Sequence, residues 1–322
     1  MKSLFALLLS RFTDPSIWRT ASSQAEQIRS VGNGFLAAAA AMFFLVVGLT
    51  IFITVKFGRK RSGEGEPKQI SGNRKLEIVM VCVPLLLVVF FFFWSMRTMS
   101  AVMPPAGHHK ADVIITGHQW WWQAEYTSSG VATANEIHLP VGKSLLLKLK
   151  AADVIHDWWV PALGAKMDMI PGSDNYLWVT IEKPGVYVGT CSEFCGEQHA
   201  WMRIRVVAQT QDNFNKWLQS HSTDAAEPTD SLARAGATLF MKASCSSCHR
   251  IKGQDANGLQ GPDLTHFASR KTMLSGIMAN TPTNVRQWLR DPQKVKPGAH
   301  MPRFIFNRDS LNELTAYLTQ LK

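Results

Sequence analysis

Two long stretches without a charged side chain constrain the fold of this chain more than any other feature. Residues 34–55 and 78–96 are each about 20 residues long, which is enough to cross a hydrocarbon layer of roughly 30 Å as a helix. The segment between them carries seven Lys or Arg side chains against three Glu, so the positive-inside rule places it in the cytoplasm. The sequence therefore predicts a transmembrane helical hairpin at residues 33–100, with spans at about 34–56 and 76–97 and a cytoplasmic loop at 57–75.

This topology leaves residues 1–32 and everything after the second span outside the cytoplasm, on the periplasmic side of the cell (inner) membrane in a bacterium. Residues 1–10, in which Lys2 precedes an apolar run, faintly resemble a secretory signal. No A-x-A site follows closely, so its cleavage stays open.

The net charge of +10 is unevenly distributed along the chain. Lys and Arg outnumber Asp and Glu by 13 to 5 both in residues 1–110 and in residues 231–322. Acidic residues prevail between these segments, by 10 to 7 in residues 111–210 and by 4 to 1 in residues 211–230. A nucleic-acid-binding protein concentrates positive charge on one surface, so the alternation argues against that class.

The part of the chain outside the membrane changes its pattern twice. Residues 105–210 contain short runs rich in β-branched and aromatic residues, separated by Gly, Pro and Asn, which is typical of a β-sandwich or barrel. At 211–230 we predict an amphipathic helix followed by a polar, acidic, proline-containing linker. Helical patterns then dominate residues 231–322, which predicts a separate all-α domain.

The motif CSSCH at residues 245–249 is the most specific short signal in the chain. Two cysteines at this spacing can each add to a vinyl group of haem, and His249 then lies beneath the iron as a ligand. A redox CxxC pair is the alternative, but no thioredoxin-like βαβ pattern surrounds the motif. We therefore predict a covalent c-type haem on Cys245 and Cys248.

A sixth iron ligand is expected from the segment before the last helix. Met301 lies in a Gly-Ala-His-Met-Pro sequence there, and a thioether favours reduced iron and raises the reduction potential. His300 is the main competitor, and Met273 and Met278 are weaker ones.

A second group of metal-ligand residues has the spacing C-x3-C-x3-H-x2-M and lies at residues 191–202. Thiolate, imidazole and thioether are suited to copper and poorly suited to Mg or Ca. Two thiolates four residues apart can each bridge two metal ions, and His156 is the best candidate for a second imidazole. A disulfide between Cys191 and Cys195 or a zinc site is the alternative, but neither explains the methionine at ligand spacing.

These motifs resemble subunit II of cytochrome c oxidase with a fused C-terminal class I cytochrome c domain, as in bacterial caa-type haem–copper oxidases. The resemblance covers residues from about 30 to 322. It rests on GHQWWW at 117–122, DVIHDWWVPALG at 153–164, KMDMIPG at 166–172 and CSEFCGEQHAWM at 191–202. It implies a cupredoxin-like Greek-key β domain that carries a dinuclear copper (CuA) centre.

The resemblance also implies a ligand set for two copper ions. Cys191 and Cys195 would be the two bridging thiolates, and His156 and His199 the two terminal imidazoles. Met202 would be a weak axial thioether ligand, and Glu193 would contribute its backbone carbonyl. The Glu193 carboxylate would in addition help to hold a Mg ion shared with subunit I.

Two further roles follow from the resemblance alone. Trp120 would be the residue through which electrons enter the copper site, whereas Trp121 and Trp122 are expected to be strand-packing residues. Glu77, at the start of the second span, falls where the family places a carboxylate at the mouth of a proton channel, although a solvated helix-terminal carboxylate is an equal alternative. Met80, Val81 and Ser173 depart from the family pattern at positions that concern contacts with subunit I.

The resemblance implies an electron-input subunit that passes electrons from its own haem to the copper pair and on to a haem in subunit I. Oxygen reduction and proton translocation would take place in that partner. Expected partners are oxidase subunits I and III, an external cytochrome or other electron donor, and membrane lipid, with no nucleic acid. A nitrous oxide reductase would need a His-rich propeller, and a quinol oxidase subunit would lack the cysteines. A nitric oxide reductase partner and a membrane-tethered electron shuttle acting without an oxidase stay open.

The opposite charges of residues 111–210 and 231–322 suggest that the two domains attract each other. With a flexible linker at 222–230, we expect the C-terminal domain to dock reversibly near Trp120. Lys294, Lys296 and Arg303 are the first candidates for the contact.

Overall fold

The computed structural model describes residues 15–58, 72–103 and 110–322. Within these ranges the chain divides into two compact units. One comprises Gln27–Met103, and the other combines Met1–Glu26 with Pro104–Lys322.

The first unit is built from two long helices, α1 (Ser23–Phe57) and α2 (Arg74–Val102). Both have the length and hydropathy of a membrane span, and 0% and 6% of their most apolar windows are buried, so neither is the core helix of a soluble domain. They meet where the rings of Phe35 and Phe91 stack with centroids 4.1 Å apart. A Cβ atom on Gly34 would lie 2.5 Å from the Trp94 ring, so this close approach requires glycine.

Both helices are longer than the predicted spans. The Ser22 hydroxyl accepts a hydrogen bond from the Ala25 backbone N–H at 3.0 Å, which caps α1 eleven residues before the predicted start of the apolar span. Hydropathy marks only the apolar part of a helix, so the predicted boundary at residue 32 falls inside α1. The candidate signal at 1–10 and most of the predicted loop 57–75 lie outside the described residues.

The β domain (residues 110–210) is a sandwich of two five-stranded sheets, with strand orders β3-β2-β1-β5-β8 and β4-β10-β9-β6-β7. The pairs β1/β5 and β4/β10 are parallel and the other pairs are antiparallel, so the chain crosses between sheets. The strands are β1 (Val113–His118), β2 (Trp121–Tyr126), β3 (Val131–Ala134), β4 (Glu136–Pro140), β5 (Ser144–Ala151), β6 (His156–Trp159), β7 (Met167–Met169), β8 (Asn175–Thr180), β9 (Gly185–Cys191) and β10 (Arg203–Gln209). The predicted sandwich is confirmed.

The core of the β domain lies between its two sheets. Alternate residues of β1, such as Val113 and Ile115, are buried, as expected for a strand with one face toward a core. Trp122 and Trp158 come from different sheets, are almost fully buried and contact each other edge to face at 5.2 Å. The expected packing role of Trp122 is consistent with this position.

The C-terminal domain (residues 231–322) contains α4 (Ser231–Lys242), α5 (Pro282–Arg290), α6 (Pro292–Val295) and α7 (Arg308–Leu318). Its first and last helices cross closely, because a Cβ on Gly236 of α4 would lie 2.0 Å from the Glu313 carbonyl oxygen of α7. The rings of Phe240 and Tyr317 pack beside this crossing. Two pairs of two-residue strands are the only β-structure that the described residues of this domain contain.

Between the two domains lies α3 (Gln211–His221), whose Trp217 ring packs between the rings of His138 and His221 at 4.2 and 4.5 Å. The linker that follows is not free. The Ala225 backbone N–H donates to the Lys252 carbonyl at 3.0 Å, and the Asp230 side chain caps α4 by accepting from the Ala233 N–H. The expectation of a flexible linker at 222–230 is wrong in this respect, because its backbone is hydrogen-bonded to the C-terminal domain.

Candidate functional site

The Cys191 loop (residues 191–202) joins the end of β9 to the start of β10, next to the first residue of β6. Cys191 is the last residue of β9 and pairs in register with Trp158 of β6, so His156 lies two residues from that pair. A single 3-10 turn, His199–Trp201, then leads to Met202, the last residue before β10. Long-range strand pairing thus places residue 156 beside residues 191 and 195.

The ligand atoms of this loop already lie together. The Sγ atoms of Cys191 and Cys195 are 3.8 Å apart. The Nδ1 atom of His156 lies 3.9 Å from the Cys191 sulfur, and the Nδ1 atom of His199 lies 3.6 Å from the Cys195 sulfur. The Met202 sulfur is 3.7 Å from that of Cys195. Each thiol therefore has one imidazole beside it, which is a symmetric arrangement that fits two metal ions bridged by two sulfurs.

Neighbouring groups fix this arrangement. Asp153 Oδ1 lies 2.8 Å from His156 Nε2, so the other ring nitrogen, Nδ1, faces the sulfur. The Glu193 carbonyl oxygen is 3.2 Å from the Cys191 sulfur, whereas the Glu193 side chain is exposed. A hydrogen bond with the Cys195 thiol lowers the pKa of Cys191, which favours its thiolate form, the form that binds a soft metal ion.

A carboxylate pair beside this loop was not recognised in the sequence. Asp157 is buried and pairs in register with Asp168 of β7. Burial, followed by a hydrogen bond with Asp168, raises the pKa of Asp157 to about 7. Both residues lay inside quoted motifs, but only the β6/β7 pairing shows that they face each other.

In the C-terminal domain, the CSSCH motif opens onto a cavity of about 600 Å³, which is within the range of cofactor pockets. Cys245, Cys248, His249 and Met301 all line it. The Pro262 carbonyl accepts a hydrogen bond from His249 Nδ1 at 2.8 Å, which orients the ring and leaves Nε2 free as a ligand. Burial lowers the pKa of His249, so the imidazole is neutral, as an iron ligand must be.

Three of the candidates for the sixth ligand, His300, Met273 and Met301, line this cavity. His300 is exposed, and its ring packs against Trp120 with centroids 5.1 Å apart. Met278 does not appear among the cavity-lining residues, whereas Met273 does, together with Met301. Met301 remains our choice because it is half-buried, whereas His300 is exposed, and because it lies in the Met-Pro segment before the last helix, whereas Met273 does not.

The cavity also carries a group suited to a carboxylated cofactor. Arg270 is buried, lines the cavity and donates from Nη2 to the Asp263 carbonyl at 2.6 Å. Its Nε atom has no partner within the described part of the chain. Haem bears two carboxylates, and a buried guanidinium with an unused N–H is the residue type that receives one. The residues present therefore fit haem. Sequence reasoning missed Arg270, which stands 21 residues after His249.

Two family models match the chain: "Cytochrome C oxidase subunit II, periplasmic domain" at residues 129–209 and "Cytochrome c" at residues 233–322. Cytochrome c oxidase subunit 2 of Alkalihalophilus pseudofirmus is 35% identical to it over 88% of this chain and 84% of the relative. The chain belongs to the cytochrome c oxidase subunit 2 family.

Two further members of this family are similar over most of their length. The subunit 2 of Bacillus sp. PS3 is 29% identical over 82% of this chain and 80% of the relative. That of Bacillus subtilis is 29% identical over 84% of this chain and 82% of the relative. The order of two apolar helices, a cupredoxin-like β domain and a C-terminal cytochrome c domain agrees with the predicted fold class.

Within this subunit, Trp120 stands between the Cys191 loop and the C-terminal domain. Its indole Nε1 donates to the Cys195 carbonyl at 2.9 Å, and its ring faces His300. Its own carbonyl accepts from the Lys296 ammonium at 2.8 Å. Burial lowers the pKa of Lys296 to about 8.

The expected docking residues are therefore only partly right. Lys296 is buried at Trp120, but Lys294 is exposed, and Arg303 pairs with Asp291 of its own domain at 3.7 Å. The sequence shows which residues are charged but not which of them face the neighbouring domain.

The remaining candidate, Glu77, lies in the first turn of α2, where Asn73 caps the helix through the Leu76 N–H. Its side chain is exposed. A carboxylate at this place is favoured by the helix dipole, and a role at a proton channel stays a prediction.

Proposed function

We propose that this subunit receives electrons on its C-terminal domain and delivers them, through the Cys191 loop of its β domain, to subunit I of a haem–copper oxidase. The observation that carries this proposal is the position of Trp120, which is hydrogen-bonded to the backbone of a copper-ligand residue on one side and faces the C-terminal domain on the other. When bound, haem and copper supply the two redox centres, and the protein supplies their positions.

The proposed haem attachment uses Cys245 and Cys248 as thioether partners and His249 and Met301 as iron ligands. The Pro262 carbonyl holds the ring of His249 by a hydrogen bond, and burial of the ring keeps the imidazole neutral. Leu264, Phe267 and Leu314 form apolar walls that exclude water from the cavity.

The proposed copper ligands are the residues whose side-chain or carbonyl atoms converge in the loop: His156, Cys191, Glu193, Cys195, His199 and Met202. The described residues bring the three buried ones, His156, Cys191 and Cys195, within 4.8 Å of one another. The exposed Glu193 carboxylate is available to a Mg ion shared with another subunit, which is the finer part of the proposal.

A partner subunit is favoured over a free electron shuttle by the surface of the same loop. Phe194 and Trp201 flank the copper ligands and are 76% and 48% exposed. Large exposed aromatic side chains beside a functional loop are typical of a protein interface. We propose that this face contacts subunit I and that subunit III is a further membrane partner. The C-terminal domain would be open to an external electron donor on the periplasmic side.

The test is a set of measurements on the purified full-length protein. Metal and haem analysis should give two copper ions and one covalent haem per chain. Flash reduction of the haem should then be followed by bleaching of the near-infrared copper absorption. Trp120→Phe should slow this transfer at least tenfold with both cofactors retained, whereas Trp178→Phe, on β8, should leave it unchanged. A protein that binds neither cofactor, or equal rates in the two variants, would contradict the proposal.

A further inference from the structure

Glu136, the first residue of β4, is a buried carboxylate whose hydrogen-bond partners come from the other domain. Its side chain is 4% exposed. Oε2 accepts from the backbone N–H groups of Lys271 and Thr272 at 3.0 and 3.3 Å, and Oε1 lies 3.3 Å from the same Lys271 nitrogen. The Thr272 hydroxyl also donates to Oε2 at 3.4 Å. These groups all belong to the C-terminal domain, more than 130 residues away in sequence.

The β domain by itself supplies less. Arg205, paired in register with Glu136 across β4 and β10, places its Nε 3.5 Å from Oε2, and His138 Nε2 lies 3.9 Å from Oε1. Both distances are longer than a normal hydrogen bond. Burial of a carboxylate is costly unless it is hydrogen-bonded, so the N–H groups of the C-terminal domain provide what the β domain lacks.

The segment that meets Glu136 has an unusual backbone. Leu274 and Ser275 have φ values of +55° and +59°, and Gly276 has +80°. Two successive non-glycine residues in the left-handed region are energetically unfavourable and persist where surrounding contacts hold them. The Ser275 hydroxyl shows such a contact, since it donates to the Trp120 carbonyl at 2.9 Å and lies 3.1 Å from Asn135 Oδ1.

We infer that Glu136 anchors an interdomain contact, here called the latch. In it, residues 271–275 of the C-terminal domain hold that domain against Trp120. Lys271 and Thr272 bind the carboxylate at one end of the segment, and Ser275 binds the Trp120 carbonyl at the other. Glu136 is a positioning residue that acts on the geometry of the proposed electron path without touching either cofactor. The latch is made of buried contacts, so its occupancy is insensitive to salt, in contrast to docking through exposed charges.

The part of this inference that concerns electron transfer rests on the proposed function, but the latch has its own readout. Hydrogen–deuterium exchange of the Lys271 and Thr272 amides in the full-length, cofactor-loaded protein measures the contact directly. Glu136→Ala removes the acceptor, and Glu136→Gln keeps an oxygen but removes the charge. Glu125→Ala is the matched control, because Glu125 lies on β2 of the same domain with an exposed side chain.

We expect Glu136→Ala to increase exchange at residues 271–275 at least tenfold and to slow haem-to-copper transfer at least tenfold, with copper and haem content unchanged. Its transfer rate should also become salt-dependent, because only exposed charges then guide docking. Glu136→Gln should be intermediate and Glu125→Ala silent.

Ser275→Ala tests the other end of the latch without altering the β domain. It should raise exchange at residues 271–275 and slow transfer in a protein whose copper absorption is normal. Unchanged exchange in both Glu136→Ala and Ser275→Ala would overturn the latch. If the unmodified protein transfers no electrons from haem to copper although these amides are protected from exchange, the proposed function is wrong and the latch is not.

Discussion

The residues proposed to bind copper and the residues proposed to bind haem are arranged in different ways. In the Cys191 loop, strand pairing and side-chain hydrogen bonds bring each thiol sulfur to within 4 Å of one imidazole nitrogen and of the other thiol sulfur. The haem-ligand candidates instead line a cavity of about 600 Å³, whose walls come mainly from the C-terminal domain but also from β-domain residues such as Gln119 and Trp120. The copper-ligand candidates therefore converge at one point, whereas the haem-ligand candidates stand around the apolar walls of a cofactor-sized cavity.

The largest effect should come from preventing haem attachment. Replacing Cys245 and Cys248 by Ala leaves the cavity without its covalent occupant. Its apolar lining, which includes Leu264, Phe267 and Leu314, then faces water instead of a cofactor, and exposure of apolar surface destabilises the fold. The C-terminal domain should therefore unfold, with loss of helical circular dichroism, while the β domain keeps its own thermal transition and its copper. Protected α4 and α7 amides in this variant would show that the cavity tolerates being empty.

The next effect tests the loop. Cys191→Ser and Cys195→Ser should each abolish the copper absorption and leave the haem band intact, because each sulfur has an imidazole of its own and both are needed to bridge two ions. The β domain should fold in both variants, since the loop is held by strand pairing. A normal two-copper spectrum in either variant would contradict the ligand assignment.

A smaller effect is expected from the residue that orients His156. Asp153→Asn weakens the contact with Nε2, and loss of such a supporting hydrogen bond typically lowers metal affinity 10- to 100-fold. Copper competition with a chelator measures this. Asp174→Asn is the control, because Asp174 is a half-exposed partner of Lys148 elsewhere in the domain. Equal affinities would mean that the fold alone orients the imidazole.

The smallest effects should be changes of reduction potential with cofactors retained. Met301→Ala should keep the haem on its cysteines but lower its potential, because a soft ligand of reduced iron is lost. Met202→Leu should keep copper and shift its potential, since a thioether is a weak axial ligand. Spectroelectrochemistry of both variants measures the two shifts, with His300→Ala as the control for the haem. A lower potential in His300→Ala and none in Met301→Ala would reverse the ligand choice.

The parts of the site that the sequence predicts are local in the chain. CSSCH and C-x3-C-x3-H-x2-M each lie within one loop, so their spacing alone indicates the chemistry. Glu136 depends on contacts with a segment more than 130 residues away, and Arg270 and the Asp157–Asp168 pair depend on how nearby loops and strands fold back; a single sequence contains no signal for either. The same holds for the linker, whose composition is that of a flexible segment although its backbone is hydrogen-bonded to Lys252.

Helix limits were missed for another physical reason. Hydropathy detects the part of α1 that is apolar, whereas the helix continues through polar residues to a serine cap at Ser22. Two sheets in a sandwich were predictable from alternation, but the order of their strands was not, since the parallel β1/β5 and β4/β10 pairs join segments that are far apart in sequence.

The close crossing of α4 and α7 at Gly236 has a consequence for synthesis of the protein. α4 ends at Lys242, but its partner α7 begins only at Arg308. Closing the chain between such distant segments costs conformational entropy, and the contact cannot form before α7 has been synthesised. Cys245 and Cys248, the proposed haem-attachment residues, follow α4 closely and are therefore synthesised before its partner helix. A chain that ends before α7 could not complete this domain. The surface of α4 around Gly236 would stay exposed, and proteases degrade chains with such exposed surface.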